Sequence, residues 1–217
     1  MNAMNRNTDT LITQLVGELE PVRPVKAVTG LAAALGGLAL MLALVVLLIG
    51  VRSDVLAGNL NPVFVLAAGL FFLLGLASAA TVIVMSRPRV GSDHGGWKWA
   101  AAMAGLLPLA ALANGLGRTS LAFSGLGAEH GLDCLAMGSL LGLVTLVTLV
   151  WWLRRGAPTS PERAGLLTGI AAGSFGIFAF SFHCAYSDIV HIGLWHSLVV
   201  LLGAVAGRLA VPPLIRW

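Results

Sequence analysis

Apolar residues in this chain come in runs too long for an ordinary soluble helix, separated by short polar stretches. Crossing a hydrocarbon core of about 30 Å takes roughly 20 apolar residues. Six runs approach or exceed that length: 28–50, 63–85, 99–116, 134–153, 164–182 and 189–208. Each predicts a membrane-spanning helix, because a helix satisfies its own backbone polar groups in lipid. The first 27 residues follow another pattern. Leu11, Ile12, Leu15 and Leu19 recur at the spacing of one helical face, with Thr13, Gln14 and Glu18 elsewhere. Thr8-Asp9-Thr10 predicts a cap for this short helix and Pro21 its end. The expected fold is all-α and polytopic, with an amphipathic helix in 1–27 and six transmembrane helices in 28–217.

Composition agrees. The chain is 58% hydrophobic and only 10% charged, with a mean hydropathy of +0.92, which leaves no room for a second globular domain. No signal-peptide core follows Met1, so the first run is expected to remain as an anchor. The net charge of +4 orients the chain; it is not a nucleic-acid surface. Of 13 basic residues, Arg6, Arg23, Lys26, Arg87, Arg89, Lys98, Arg154, Arg155, Arg163, Arg208 and Arg216 fall on one side of the predicted membrane. Only Arg52 and Arg118 fall on the other. By the positive-inside rule both termini are expected in the cytoplasm, in a bacterial inner membrane.

The N-terminal helix needs a surface for its apolar face, since about 12 residues are marginal alone in water. A lipid-surface helix is normally rich in Lys and Arg. This one carries Asp9, Glu18 and Glu20, which favours a protein partner over the bilayer or the bundle's own inner face.

Candidate chemistry gathers outside. Residues 182–196 hold His183, Cys184, Tyr186, Asp188, His191 and His196, and the other cysteine, Cys134, lies close behind His130 and Asp133. A short internal loop centred near Pro158 makes the fourth and fifth runs antiparallel neighbours. Counting back about 24 residues and on about 26, at 1.5 Å each, returns both thiols to one height at the outer face. Disulfides are permitted there, and thiolate, imidazole and carboxylate together also suit zinc or another soft divalent metal. On a helix starting near Ser187, Asp188, His191 and Trp195 share a face, with His196 one turn deeper. A single Cys in such a helix is ordinarily a small hydrophobe, and a single interfacial His is ordinarily solvated. Two thiols at one depth with histidines on each side point instead to a shared redox or metal site. No nucleophile, base and orienting group occur together, so an enzyme is not expected.

The chain resembles the NrsF-like membrane anti-sigma factors of proteobacteria over nearly its whole length. The resemblance rests on Thr8-Asp9-x-Leu11-Ile12-x-x-Leu15 with Pro21-Val22, on Gly50-Val51-Arg52-x-Asp54, and on Arg155-Gly156-Ala157-Pro158. Its most specific part is Cys134 with His183-Cys184, Asp188, His191 and Trp195-His196. Arg89, after Pro88, stands where the family pattern has glycine. The resemblance implies an inhibitor that holds an extracytoplasmic-function sigma factor at the membrane through its N-terminus. It further implies that two periplasmic-side cysteines sense heavy-metal or oxidative stress. Two other functions compete with it: a small metal transporter or thiol–disulfide oxidoreductase using the same cluster, and a membrane scaffold. The five earlier runs lack interior charge for an ion path, and no second exposed cysteine pair is present to pass electrons on.

Overall fold

The computed structural model describes residues 2–18, 26–87, 98–100, 102–103, 105–106, 109 and 128–216. Every regular element among the described residues is helical. We number them α1 (Asn2–Gly17), α2 (Ala27–Ile49), α3 (Ser53–Leu56), α4 (Pro62–Met85), α5 (Ala128–Leu153), α6 (Pro161–Ser181) and α7 (Ile189–Ile215). Five of these, α2, α4, α5, α6 and α7, are long and apolar enough to cross a membrane. They match five of the six expected runs. The sixth, 99–116, lies largely outside the described residues, as do Leu19, Pro21 and most of the external loop that follows that run.

Three boundaries differ from expectation. Helix α5 begins at Ala128, not 134, and takes His130 and Asp133 into its first turns. Helix α1 begins at Asn2, so Thr8-Asp9-Thr10 lies inside it and does not cap it. A hydroxyl can be accommodated mid-helix by bonding back one turn, as Thr13 Oγ1 does in donating to the Asp9 carbonyl at 2.8 Å. Helix α7 continues past 208 to Ile215 through Pro212 and Pro213.

Helix α6 is the centre of the bundle, with 89% of its most apolar window buried. Its glycines explain why. Membrane helices gain little from hydrophobicity alone and associate where small residues let backbones close up. A β-carbon at Gly165 or Gly169 would meet the carbonyl of Gly207 or Gly203 on α7, and one at Gly176 the carbonyl of Gly138 on α5. Phe175 fills the space beside Gly75 on α4. Three helices thus pack against one glycine-faced helix.

The two membrane faces are braced differently. At the end nearest the arginine-rich loop, Trp152 is buried, donates its indole N–H to Ser86 Oγ at 3.1 Å, and covers Gly30 of α2. Arg155 stacks on Trp151, 3.6 Å from the ring. At the other end Gly50, with φ +91°, closes α2 and turns the chain into Arg52. Arg52 and Asp54 form an inward clamp: the Arg52 side chain is 7% exposed and grips Asp54 through Nε (2.6 Å) and Nη2 (2.7 Å). That hydrogen bond holds the Asp54 carboxyl below its ordinary pKa.

Replacing Gly169 with valine should destabilise the bundle by about 1–3 kcal/mol or more, as overpacking against a backbone does. Gly36, with open space around its Cα, is the control; alanine there should leave stability unchanged or raise it by about 1 kcal/mol. Thermal unfolding in detergent micelles checks both.

Candidate metal and thiol site

Four side chains converge where α5, α7 and the α6–α7 connection meet. Cys134 comes from the first turns of α5, Cys184 from the helix-free connection after α6, and His191 and His196 from the first turns of α7. Cys134 Sγ lies 3.5 Å from Cys184 Sγ and 3.5 Å from His191 Nε2, and Cys184 Sγ lies 3.6 Å from the same nitrogen. With a ring nitrogen of His196, all four donor atoms fall within 4.8 Å of one another, and all four residues are buried. Both cysteines are free thiols.

Local structure at the start of α7 sets the two imidazoles. Asp188 caps the helix, its Oδ2 accepting from the amides of Val190 (2.9 Å) and His191 (3.3 Å). Residues Ile192–His196 then form a π turn. Five residues apart on an α-helix, two side chains would sit about 140° apart. The wider turn brings His191 and His196 to the same side, their rings edge to face at 5.5 Å. Such turns occur often at functional sites. His196 was expected one turn deeper than His191, and this turn is what places it beside the thiols.

The remaining polar residues singled out in the sequence lie around the four. His183 turns toward α2, where its Nδ1–H donates to the Gly50 carbonyl at 3.0 Å. Asp188 is the helix cap just described. His130 is exposed and packs on Tyr186 at 5.1 Å, and Tyr186 in turn covers His191 at 5.1 Å. Asp133 is exposed. Phe71 of α4 lies behind His196, 6.2 Å between ring centres. Sequence reasoning placed Tyr186 in the candidate stretch without a role, and gave Phe71 no place at the site. Of the residues read as a partner face, Leu11, Ile12 and Leu15 are exposed on α1, as is Val16 at 60%. Leu19 lies outside the described residues.

Chemically, the four donors fit a tetrahedral soft cation. Around zinc, with Zn–S near 2.3 Å and Zn–N near 2.0–2.1 Å, neighbouring donors lie roughly 3.4–3.8 Å apart. The three shortest separations measured here fall in that range. His196 Nε2 is buried with no hydrogen-bond partner, an unfavourable state for a polar atom unless something else binds there. Cys184, outside the spans, has its thiol pKa lowered, first by the Cys134 hydrogen bond and then by His191 and His196, against the opposing effect of burial. Two thiolates also neutralise a divalent cation, so the filled site carries no net charge into an apolar setting.

The fold and this cluster define a class: a small polytopic helical protein with a buried Cys2His2 group at the end of the bundle opposite Arg154 and Arg155. The chain belongs to the NrsF family, described as negative regulator of sigma F, whose model matches residues 15–217. It is 33% identical to the anti-sigma-F factor NrsF of Caulobacter vibrioides, over 97% of this chain and 99% of that protein. It is 28% identical to the probable anti-sigma-F factor NrsF of Azospira oryzae, again over 97% and 99%. The family is one of regulators, not enzymes. No solved structure matches the chain.

Burial of the thiols makes a prediction about reactivity. A water-soluble maleimide should modify Cys134 and Cys184 at least about tenfold more slowly than a cysteine placed at exposed Asp133 in a chain lacking both native thiols, because thiolate access controls the rate. Equal rates, measured by mass shift in intact membranes, would show that the site opens freely to water.

Proposed function

We propose that this protein holds a sigma-F-type, extracytoplasmic-function sigma factor at the bacterial inner membrane and releases it when a cation or oxidant acts on Cys134 and Cys184. Family membership supports the partner class, since both relatives carry names that say anti-sigma-F factor. The contact is assigned to the apolar face of the N-terminal segment: Leu11, Ile12, Leu15 and Leu19, with Val16 beside them. Both termini are assigned to the cytoplasm, which puts that face on the sigma factor's side and the thiols on the periplasmic side.

The observation that carries the sensing half of this reading is the four-donor cluster with its unpartnered His196 nitrogen. We assign Cys134, Cys184, His191 and His196 as ligands of zinc at rest or of a softer ion such as cadmium under stress. Binding releases the thiol protons, since thiolate is the ligand form. Asp188 and Tyr186 position His191, while His183, His130 and Asp133 stand outside the ligand set. Oxidation is the second route at the same atoms. Peroxide would take two electrons and both thiol protons, leave as two waters and join the sulfurs, which must close from 3.5 Å to about 2.05 Å.

Two experiments test this reading. Leu15→Asp should abolish capture of the sigma factor by the full-length protein in detergent while membrane insertion is unchanged; intact capture would move the interface away from α1. Purified full-length protein should bind one cadmium per chain with thiolate-to-metal absorption. That affinity should fall at least about tenfold in H196Q and be lost in C134S and in C184S. Each serine variant should still capture the sigma factor yet fail to release it on cadmium or peroxide, and the double variant should be no worse than either single one. Normal release by both single variants would reduce the cysteines to packing residues.

A further inference from the structure

Cys184 sits in the one part of the site with no helix of its own. Residues 183–188 connect α6 to α7 without regular structure, so their position depends on what they are bonded to. Several of those bonds come from the turn that ends α2. The Arg52 amide donates to the Phe182 carbonyl at 2.9 Å. The Arg52 guanidinium donates through Nη1 to the Cys184 carbonyl (2.7 Å) and through Nη2 to Ser187 Oγ (2.8 Å) and, more distantly, the Ala185 carbonyl (3.4 Å). His183 adds its bond to the Gly50 carbonyl. Asp54 takes Nε and Nη2 and fixes the plane of the fork, and the ring of Phe64 lies 4.9 Å beneath its carbon. A guanidinium has five N–H donors in rigid, planar geometry, and here they divide between Asp54 and one loop.

Arg52 therefore joins the thiol-bearing loop to α2, the helix that α1 directly precedes in the chain. Two features leave room for movement along this connection. The last turn of α2, Val45–Ile49, is π-helical, a wider winding that is frequent at functional sites. A cavity of about 10 Å³, close to the size of one water, lies between Arg52, Cys184, Phe64, Phe71 and His196. Cys134, by contrast, is held in a long packed helix. When the four donors draw around a cation, the loop end carrying Cys184 has the freedom to adjust, and the Cys184 carbonyl takes the guanidinium with it.

We infer that Arg52, oriented by Asp54, is the positioning residue that couples the Cys2His2 site to the outer end of α2, so that ligand binding at the thiols is felt by the span leading to the partner-binding segment. Arg52 touches no donor atom; it acts through the Cys184 backbone. The inference rests on the cation-binding reading of the site.

The test uses full-length protein in lipid nanodiscs and cadmium as the only probe, with two readouts. Ultraviolet thiolate-to-cadmium absorption reports whether the site fills. Hydrogen–deuterium exchange of peptides spanning 45–56 reports the α2 end. In the unmodified protein cadmium should slow exchange there by about fivefold or more, the lower end of ordinary allosteric coupling. R52Q should retain cadmium absorption but show no cadmium-dependent change in that peptide. D54N should give an intermediate change. If R52Q does not insert, R52K serves, since one ammonium cannot span Asp54, the Cys184 carbonyl and Ser187 together. An undiminished cadmium effect in R52Q or R52K overturns the coupling role, as does the lack of any effect in the unmodified protein that binds cadmium. Lack of cadmium absorption in the unmodified protein overturns the cation reading and the coupling with it.

Discussion

The structure depends on keeping two thiols and two imidazoles buried side by side, at the membrane end of a bundle, with no acidic group among them. Polar groups in an apolar setting are stable only when paired, and here one imidazole nitrogen has no partner at all. A divalent cation would satisfy these atoms together and cancel the charge of both thiolates. The rest of the bundle holds the four donors close to one another. Helix α5 presents Cys134, the first turns of α7 present both histidines, and the clamp from α2 holds the loop with Cys184.

The glycine-faced core gives this arrangement its rigidity. Because α6 meets α5 and α7 backbone to backbone, those helices have little freedom to slide separately. Packed elements of this kind tend to move as units between discrete arrangements. The freedom left to the site lies in the helix-free loop, the short cavity beneath it and the π turn that ends α2. The inner brace of Trp152, Ser86 and Gly30 ties the far ends of α2, α4 and α5 together. Tight packing in the middle thus contrasts with the adjustable connections at one end.

Much of this was legible in the sequence. Run lengths placed the five described spans to within a few residues at most ends, because burying a backbone in lipid leaves little choice but a helix of fixed length. Counting along one helical hairpin brought Cys134 and Cys184 to one height. Periodicity set His196, already among the candidate ligands, one turn too deep, because the helix departs from 3.6 residues per turn at the π turn of 192–196. The cap expected at Thr8-Asp9-Thr10 also failed, since α1 starts at Asn2 and takes these residues into its interior. Arg52 was the larger surprise. A lone arginine two residues from an aspartate reads as a surface pair, and only the fold reveals the loop 130 residues onward that its remaining donors hold.

X-ray absorption at the zinc edge of purified, zinc-loaded full-length protein tests the central claim most directly. The account predicts one zinc per chain with two sulfur neighbours near 2.3 Å and two nitrogen neighbours near 2.0–2.1 Å. A shell of oxygen and nitrogen alone, or no zinc retained, would contradict it.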